Sequence, residues 1–210
     1  MALLLVVVAG CGFKTNGAGA PIDAAADDDA ADAQEIDAEL VIDAAPPVDG
    51  TRTDWYDARY THRRKLTIAT NKLTGDVADF PVLVTLPTAV GVDLATGAND
   101  LVFVGLNNST VYPHEVDTLN PAGNTTAWVK LSLTRANPLE LWVYYGFPTA
   151  PPNTSSGSAV FGAFDSVHHL SNLGDSSGHS HTMTASGGPL GVTGAAGGAQ
   201  LFDGIDDYLE

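Results

Sequence analysis

The sequence predicts an all-β chain: an antiparallel β-sandwich, preceded by a disordered acidic linker and followed by the opening strands of a second β-module. Three observations predict it. From Lys65 on, short runs rich in Val, Leu, Thr and aromatic residues alternate with turn residues, without a helical period. One run, "TAWVKLSL" (126–133), alternates strictly, with Val129, Leu131 and Leu133 on one face and Trp128, Lys130 and Ser132 on the other, as a half-buried antiparallel strand should. Composition also changes in kind near residue 51: residues 12–51 hold ten acidic groups and one base, Lys14.

The chain opens on "MALLLVVVAGCG", whose apolar run Ala2–Ala9 is far shorter than the roughly 20 residues a membrane-spanning helix needs. It suits the apolar region of a signal peptide, residues 1–10. Ala9 and Gly10 place small side chains before Cys11, the only cysteine, as a bacterial lipobox requires. Cys11 is therefore the expected lipidation site, and an intramolecular disulfide is excluded. No Lys or Arg precedes the apolar run, which departs from the usual leader. Gly12, rather than Asp, after Cys11 points to the outer membrane or cell surface by analogy with sorting rules.

Residues 11–51 then read as lipid anchor and tether. Repelling carboxylates, interspersed alanines and Pro46-Pro47 leave too little apolar surface to offset the entropy of ordering. Residues 52–210 carry fifteen acids and eight bases, a net −7 of the chain's −16. The basic cluster His62-Arg63-Arg64-Lys65 is no basic face, so no nucleic-acid partner is expected.

The strands of residues 52–152 are expected at "KLTIA" (65–69), "FPVLVTL" (80–86), "DLVFVGL" (100–106), "VYPHEVDTL" (111–119), "TAWVKLSL" and "LELWVYYG" (139–146). Between them lie "TNKLTGD", "NNST", "NPAGN" and "TRANP", all turn chemistry. In order and spacing these blocks resemble the bacterial domain of unknown function 2341. Trp55, Tyr60, Arg63, Phe80, Pro81, Glu115, Trp128, Tyr144, Tyr145 and Gly146 fall on matching positions, while His114 stands where the family has an aromatic. The resemblance implies an architecture and an extracytoplasmic setting, but no reaction.

The Pro/Ser/Gly-rich stretch "APPNTSSGSAVF" reads as a linker, placed at 153–160. Residues 161–210 are similar to the N-terminal part of a concanavalin A-like, laminin-G-type jelly roll. Val167, His169 and Leu170 fit its first strand, with His168 in place of a Trp. Asp175, Ser177 and Gly178 fit its polar loop, Thr182 the next strand, and "FDGIDDY" (202–208) its closing motif. A jelly roll needs about eight strands, and this stretch supplies about three, so the reading expects a piece of a longer chain.

Candidate chemistry is sparse. His168, His169, His179 and His181, beside Asp165 and Asp175, invite a transition-metal site, yet their Ser/Gly/Asn surroundings favour a structural or solvated role. Asp203, Asp206 and Asp207 offer an oxygen cluster for calcium, against the plainer reading of an Asp-Gly turn with acidic flanks. Glu115 and Asp117 share a strand face, which more often means exposed sheet surface than a glycosidase pair. Trp128, on the polar face of its strand, and Trp55 are the aromatic candidates for stacking on sugar rings; Trp142, between Leu141 and Val143, reads as core. No catalytic residue is assigned, since the hydrolase, metalloprotease and phosphate-loop motifs are absent.

The expectation is a surface lipoprotein, membrane-anchored at Cys11, that binds an extracellular ligand such as polysaccharide or another envelope component. It uses no cofactor, unless calcium enters a completed jelly roll. Two alternatives stand beside it: a fragment of a glucanase-type enzyme whose catalytic carboxylates lie further on, and a structural or envelope-transport accessory, which the family resemblance suggests.

Overall fold

The structure, a computed structural model, describes residues 38–39, 52–149, 153–194 and 197–210. Cys11 and the apolar leader lie outside these residues, as does the acidic stretch apart from the backbone of Ala38–Glu39. The described chain is almost entirely antiparallel β-structure, and none of its helices is long and apolar enough to cross a membrane.

Two sheets face each other. The first has five strands in the order β1 (Ala38–Glu39), β2 (His62–Ile68), β8 (Leu139–Tyr145), β4 (Val102–Gly105) and β5 (Val111–Tyr112). The second has three, β3 (Val77–Leu86), β7 (Thr125–Leu133) and β6 (His114–Thr118). A one-turn helix, α1 (Thr88–Gly91), and a 3₁₀ turn at Thr96–Ala98 connect β3 to β4.

The strand alternation builds the core between the sheets. β7 buries Ala127, Val129, Leu131 and Leu133 against Leu66 and Ile68 of β2, Val82, Val84 and Leu86 of β3, Phe103 of β4, and Leu141, Val143 and Tyr145 of β8. At about 1.5–3 kcal/mol for each fully buried aliphatic or aromatic side chain, this layer is the main source of stability.

The run expected as one strand at 111–119 is two. Proline at 113 cannot donate a ladder hydrogen bond, and the chain changes sheets there. Val111–Tyr112 pairs with β4 in the first sheet, while His114–Thr118 pairs with β7 in the second. β8 is likewise two-sided. Leu141, Val143 and Tyr145 point into the main core, while Trp142 and Tyr144 belong to a smaller apolar cluster with Trp55, Tyr60, Val102 and Val104. Trp142, expected in the core, is thus only partly buried, under the Arg63 guanidinium at 4.4 Å.

The chain after β8 lies against the sandwich. Residues 153–160, expected as a linker, carry most of a short helix, α2 (Gly157–Phe161), with Val160 and Phe161 buried. Beyond it come two small ribbons. β10 (Leu190–Thr193) pairs with β11 (Gly198–Leu201), and β9 (Ala185–Ser186) pairs with β12 (Tyr208–Leu209).

Candidate functional site

The outer face of the second sheet carries the densest polar chemistry. Opposite residues of an antiparallel pair share a face, so the register Glu115↔Trp128 sets Glu115 and Trp128 together, away from the core. Asp117, two residues along, joins them. The expected solvent-exposed carboxylate pair is instead covered by the chain that follows β8. Ser155 bridges to His114, and the Ser156 N–H donates to the His114 carbonyl at 2.8 Å, which fastens the start of this chain to the β6 edge. The Ser156 hydroxyl then caps α2, accepting from the Ala159 N–H at 3.3 Å.

Helix α2 brings Phe161 edge-on to Trp128, with ring centroids 5.8 Å apart, and His169 stacks on the same indole at 5.9 Å and 22°. A carboxylate only accepts, so His169 Nε2–H donates to Glu115 Oε2 at 3.0 Å, while the Ser176 hydroxyl donates to Glu115 Oε1 at 2.8 Å. Asp117 Oδ1 lies 3.7 Å from His169 Nδ1, and its Oδ2 accepts from the Thr126 and Thr118 hydroxyls at 3.2 and 3.4 Å. Burial pushes the Asp117 carboxyl above its ordinary range, against the pull of His169 and these hydroxyls. Asp117 Oδ1 and Trp128 Nε1 are buried without a hydrogen-bond partner. Gly157 is required here, since a Cβ would stand 2.6 Å from the Ser176 carbonyl oxygen and 2.8 Å from Glu115 Oε1. The arrangement clasps the following chain to the sheet: Glu115 accepts from His169 and Ser176 of that chain, while Asp117 accepts from Thr118 and Thr126 of the sheet and keeps one oxygen unpartnered beside His169.

The two tryptophans offered as sugar platforms are occupied. Trp128 is half-buried beneath Phe161 and His169. Trp55 is 9% exposed; it packs edge-on to Tyr144 and has the guanidinium groups of Arg52 and Arg63, each 4.9 Å away, over its ring. Around it the Tyr144 hydroxyl donates to Asn108 Oδ1 at 2.8 Å and accepts from the Tyr56 N–H at 3.1 Å.

The histidines do not converge on one site, although the His179 and His181 rings stay edge-on to each other with centroids 6.4 Å apart. His168 Nδ1 lies 3.0 Å from the Gly174 carbonyl and His169 joins the clasp. His179 Nδ1 contacts the Asp165 carbonyl and the Ser177 hydroxyl, each at 3.2 Å. Asp175 organises their loop. Its Oδ1 accepts from the Val167 and Ser177 N–H groups at 3.0 and 2.9 Å, and its Oδ2 from the His181 N–H at 3.0 Å and the Ser177 hydroxyl at 2.8 Å. The Val167 N–H foremost, and the other donors with it, hold this carboxyl well below the ordinary carboxylate range.

The turn at 202–208 does bring its acids together. Ligand oxygens of Asp203, Asp206 and Asp207 lie within 4.8 Å of one another, the one such grouping of metal-capable side chains among the described residues. Part of this convergence is internal, since Asp203 Oδ1 accepts from the Ile205 N–H and Asp207 Oδ2 from the Asp203 N–H, each at 2.8 Å. Phe202 and Tyr208, both about half exposed, bracket the turn.

The sequence signals for the clasp were a Trp and two carboxylates on one outward face, which calls for a cover, and the family position of Glu115. The partner His169, 54 residues away, carried no local signal. Neither a curated protein nor a solved structure matches the chain. Residues 98–177 match the family model of a domain of unknown function (DUF2341), a span that runs from the turn before β4, through β8 and α2, to the clasp residue Ser176 and its neighbour Ser177.

Proposed function

We propose that this chain is a lipid-anchored surface protein that recognises extracellular glycan without transforming it, and that its contact with the glycan is made by the 202–208 turn. The supporting observation is that Phe202 and Tyr208 stand exposed on either side of three converging carboxylates. Aromatic faces suit the apolar faces of sugar rings, and carboxylates accept hydrogen bonds from sugar hydroxyls. The tryptophans take no part in this reading, because their faces are held by Arg52, Arg63, Phe161 and His169. The jelly-roll resemblance of residues 161–210 supports the same end of the chain, and the leader with Cys11 supports export and anchoring.

The test is retention of the full chain on immobilised envelope polysaccharides and a glycan array, beside Phe202→Ala and Tyr208→Ala. Retention of the parent chain with a loss of about tenfold in each variant, on the order of 1.4 kcal/mol, is the expected result. A parent chain that no glycan retains overturns the reading. In the source cell, the product should carry a diacylglyceryl group on Cys11, and Cys11→Ser should leave the membrane fraction.

A further inference from the structure

An exposed sheet edge is a template for a further strand, and a stable sandwich has to close or blunt each of its edges. Three are dealt with among the described residues. β5 is only two residues long. β3 breaks its register between Val77 and Phe80 and then carries Pro81. β6 is fastened by the chain that follows β8, with the Ser156 N–H donating to the His114 carbonyl and the Val116 N–H to the Ser155 hydroxyl. The fourth edge is the outer side of β2. All seven residues of β2 pair with β8 on one side, but on the other β1 reaches only Thr67 and Ile68. Residues 62–66 meet no further strand there among the described residues.

The register of β1 points to what completes this edge. Ala38↔Ile68 and Glu39↔Thr67, continued residue by residue, would set Leu40 opposite Leu66, Val41 opposite Lys65, Ile42 opposite Arg64 and Asp43 opposite Arg63. Opposite residues share a face. Ala38, Leu40 and Ile42 would then fall on the side of the core residues Leu66 and Ile68, and Glu39, Val41 and Asp43 on the side of Arg63, Lys65 and Thr67. That is the alternation of a half-buried strand, and a slip of one residue would reverse it. Leu40-Val41-Ile42 is also the only run of large aliphatic residues between 12 and 51.

Charge and chain length agree. Glu35, Asp37, Glu39 and Asp43 make the segment acidic, while Arg63, Arg64 and Lys65 make β2 basic. Arg63 and Lys65 already hold Asp54 and Glu140, at 2.8 and 2.6 Å, but a guanidinium has five donors and an ammonium three. A second copy of β2 on this edge would bring bases against bases. Arg52 Nη1 donates to the Tyr60 carbonyl at 2.6 Å, which fixes the end of the acidic stretch two residues before β2 begins. From there the chain back to Asp43 can reach up to about 30 Å, enough to set Asp43 beside Arg63. We propose that the outer edge of β2 is the docking site of the chain's own acidic segment, residues 38–43, which lengthens β1 along that edge and draws the acidic stretch onto the sandwich.

The test uses the full chain and reads amide hydrogen exchange at Glu39, Val41 and Asp43 and across residues 62–66. In the parent the Glu39, Val41 and Asp43 amides should exchange about tenfold or more slowly than in Leu40→Pro with Ile42→Pro, which cannot hold a strand. Exchange in β7 should be the same in both proteins, which separates loss of docking from loss of the fold. Glu39→Lys with Asp43→Lys should also quicken exchange at residues 39–43, more at low salt than at high salt. Register is read separately on a Cys11→Ser background. Val41→Cys with Lys65→Cys should form a disulfide about tenfold faster than Ile42→Cys with Lys65→Cys, whose side chains would lie on opposite faces. Parent exchange as fast as in the proline variant, equal cross-linking by the two cysteine pairs, or protection that appears only with concentration-dependent dimerisation in sedimentation would overturn the proposal.

Discussion

His169 Nε2 and Glu115 Oε2 stand 3.0 Å apart, with side chains 14% and 17% exposed, and this pair joins the chain that follows β8 to the back of the second sheet. A bond so shielded costs more to break than a surface pair, because the remaining partner is left in a poor solvent. Replacing Glu115 with Ala removes the acceptor of both His169 and Ser176. It should lower the local opening free energy of residues 155–177 by about 2 kcal/mol. Amide hydrogen exchange should quicken there and stay slow in β4 and β8; uniform acceleration would mean that the clasp belongs to the global fold.

Asp117 behaves differently because its carboxyl is raised by burial. The native state holds its proton more tightly than the unfolded chain does, so stability is fully present below the ordinary carboxylate range and declines as pH rises through the raised value. Asp117→Asn keeps an oxygen for the Thr126 and Thr118 hydroxyls and removes the desolvated charge. Urea unfolding at pH 4 and pH 7 should show a smaller difference between the two pH values in this variant than in the parent.

His114, at 1% exposure, lies edge-on to Phe103 at 5.3 Å, with Nε2 unpartnered. Burial pushes its pKa down to about 4. Because the unfolded chain then takes the proton first, stability present above the ordinary histidine range is lost as pH falls through the window from 6.5 to about 4. The loss amounts to roughly 3 kcal/mol at about 1.4 kcal/mol per pH unit. His114→Phe should flatten the stability profile across that window, as followed by thermal melts at half-unit intervals; an unchanged slope would assign the acid lability elsewhere.

Asp100 is wholly buried and accepts three backbone donors, Ala95 N–H at 2.9 Å, Gly146 N–H at 2.8 Å and Phe147 N–H at 3.0 Å. Asn at this position has one oxygen for three donors and places an amide NH₂ among N–H groups. The expected cost is about 1–3 kcal/mol in urea unfolding, and a variant as stable as the parent would show that water reaches the site.

In the loop 165–181, acid should act through Asp175, whose carboxyl is held low by the Val167 N–H and three further donors. Its contribution is complete above the ordinary carboxylate range and lost as pH falls through the lowered value. Hydrogen exchange of Val167, Ser177 and His181 amides should speed up in strong acid before that of β7. Asp175→Asn should show the fast exchange already at neutral pH.

The sandwich could be read from the chain because its signals are local. Period-two alternation in 126–133 is the observed burial of β7, and the turn blocks fall where strands end. Pro113 was visible, but the sheet change it permits is a tertiary event that a single strand's pattern does not encode. Trp142 misled for a related reason: neighbours Leu141 and Val143 describe the opposite face of the same strand. The candidate tryptophans were judged by the face they occupy, which the alternation gives, and not by what lies on that face. For Trp128 that is Phe161 and His169, 33 or more positions later in the chain.

β2 and β8 are neighbours with seven registered pairs, and His62, where the chain enters the sandwich, lies opposite Tyr145, where it leaves. A pull applied at residues 61 and 146 therefore loads the same end of the same strand pair. Such a geometry peels rungs one at a time instead of shearing all seven together, so the β2–β8 seam by itself is mechanically soft. What resists the first rung is the knot just outside it, where the Thr61 N–H and hydroxyl grip the Gly146 carbonyl and Asp100 holds the Gly146 and Phe147 amides. Gly146, at φ +75°, makes the bend that presents its carbonyl and amide to these two holders. Tension that reaches residues 61 and 146 is thus met by a fastening of Thr61, Asp100, Gly146 and Phe147 before the β2–β8 ladder is disturbed.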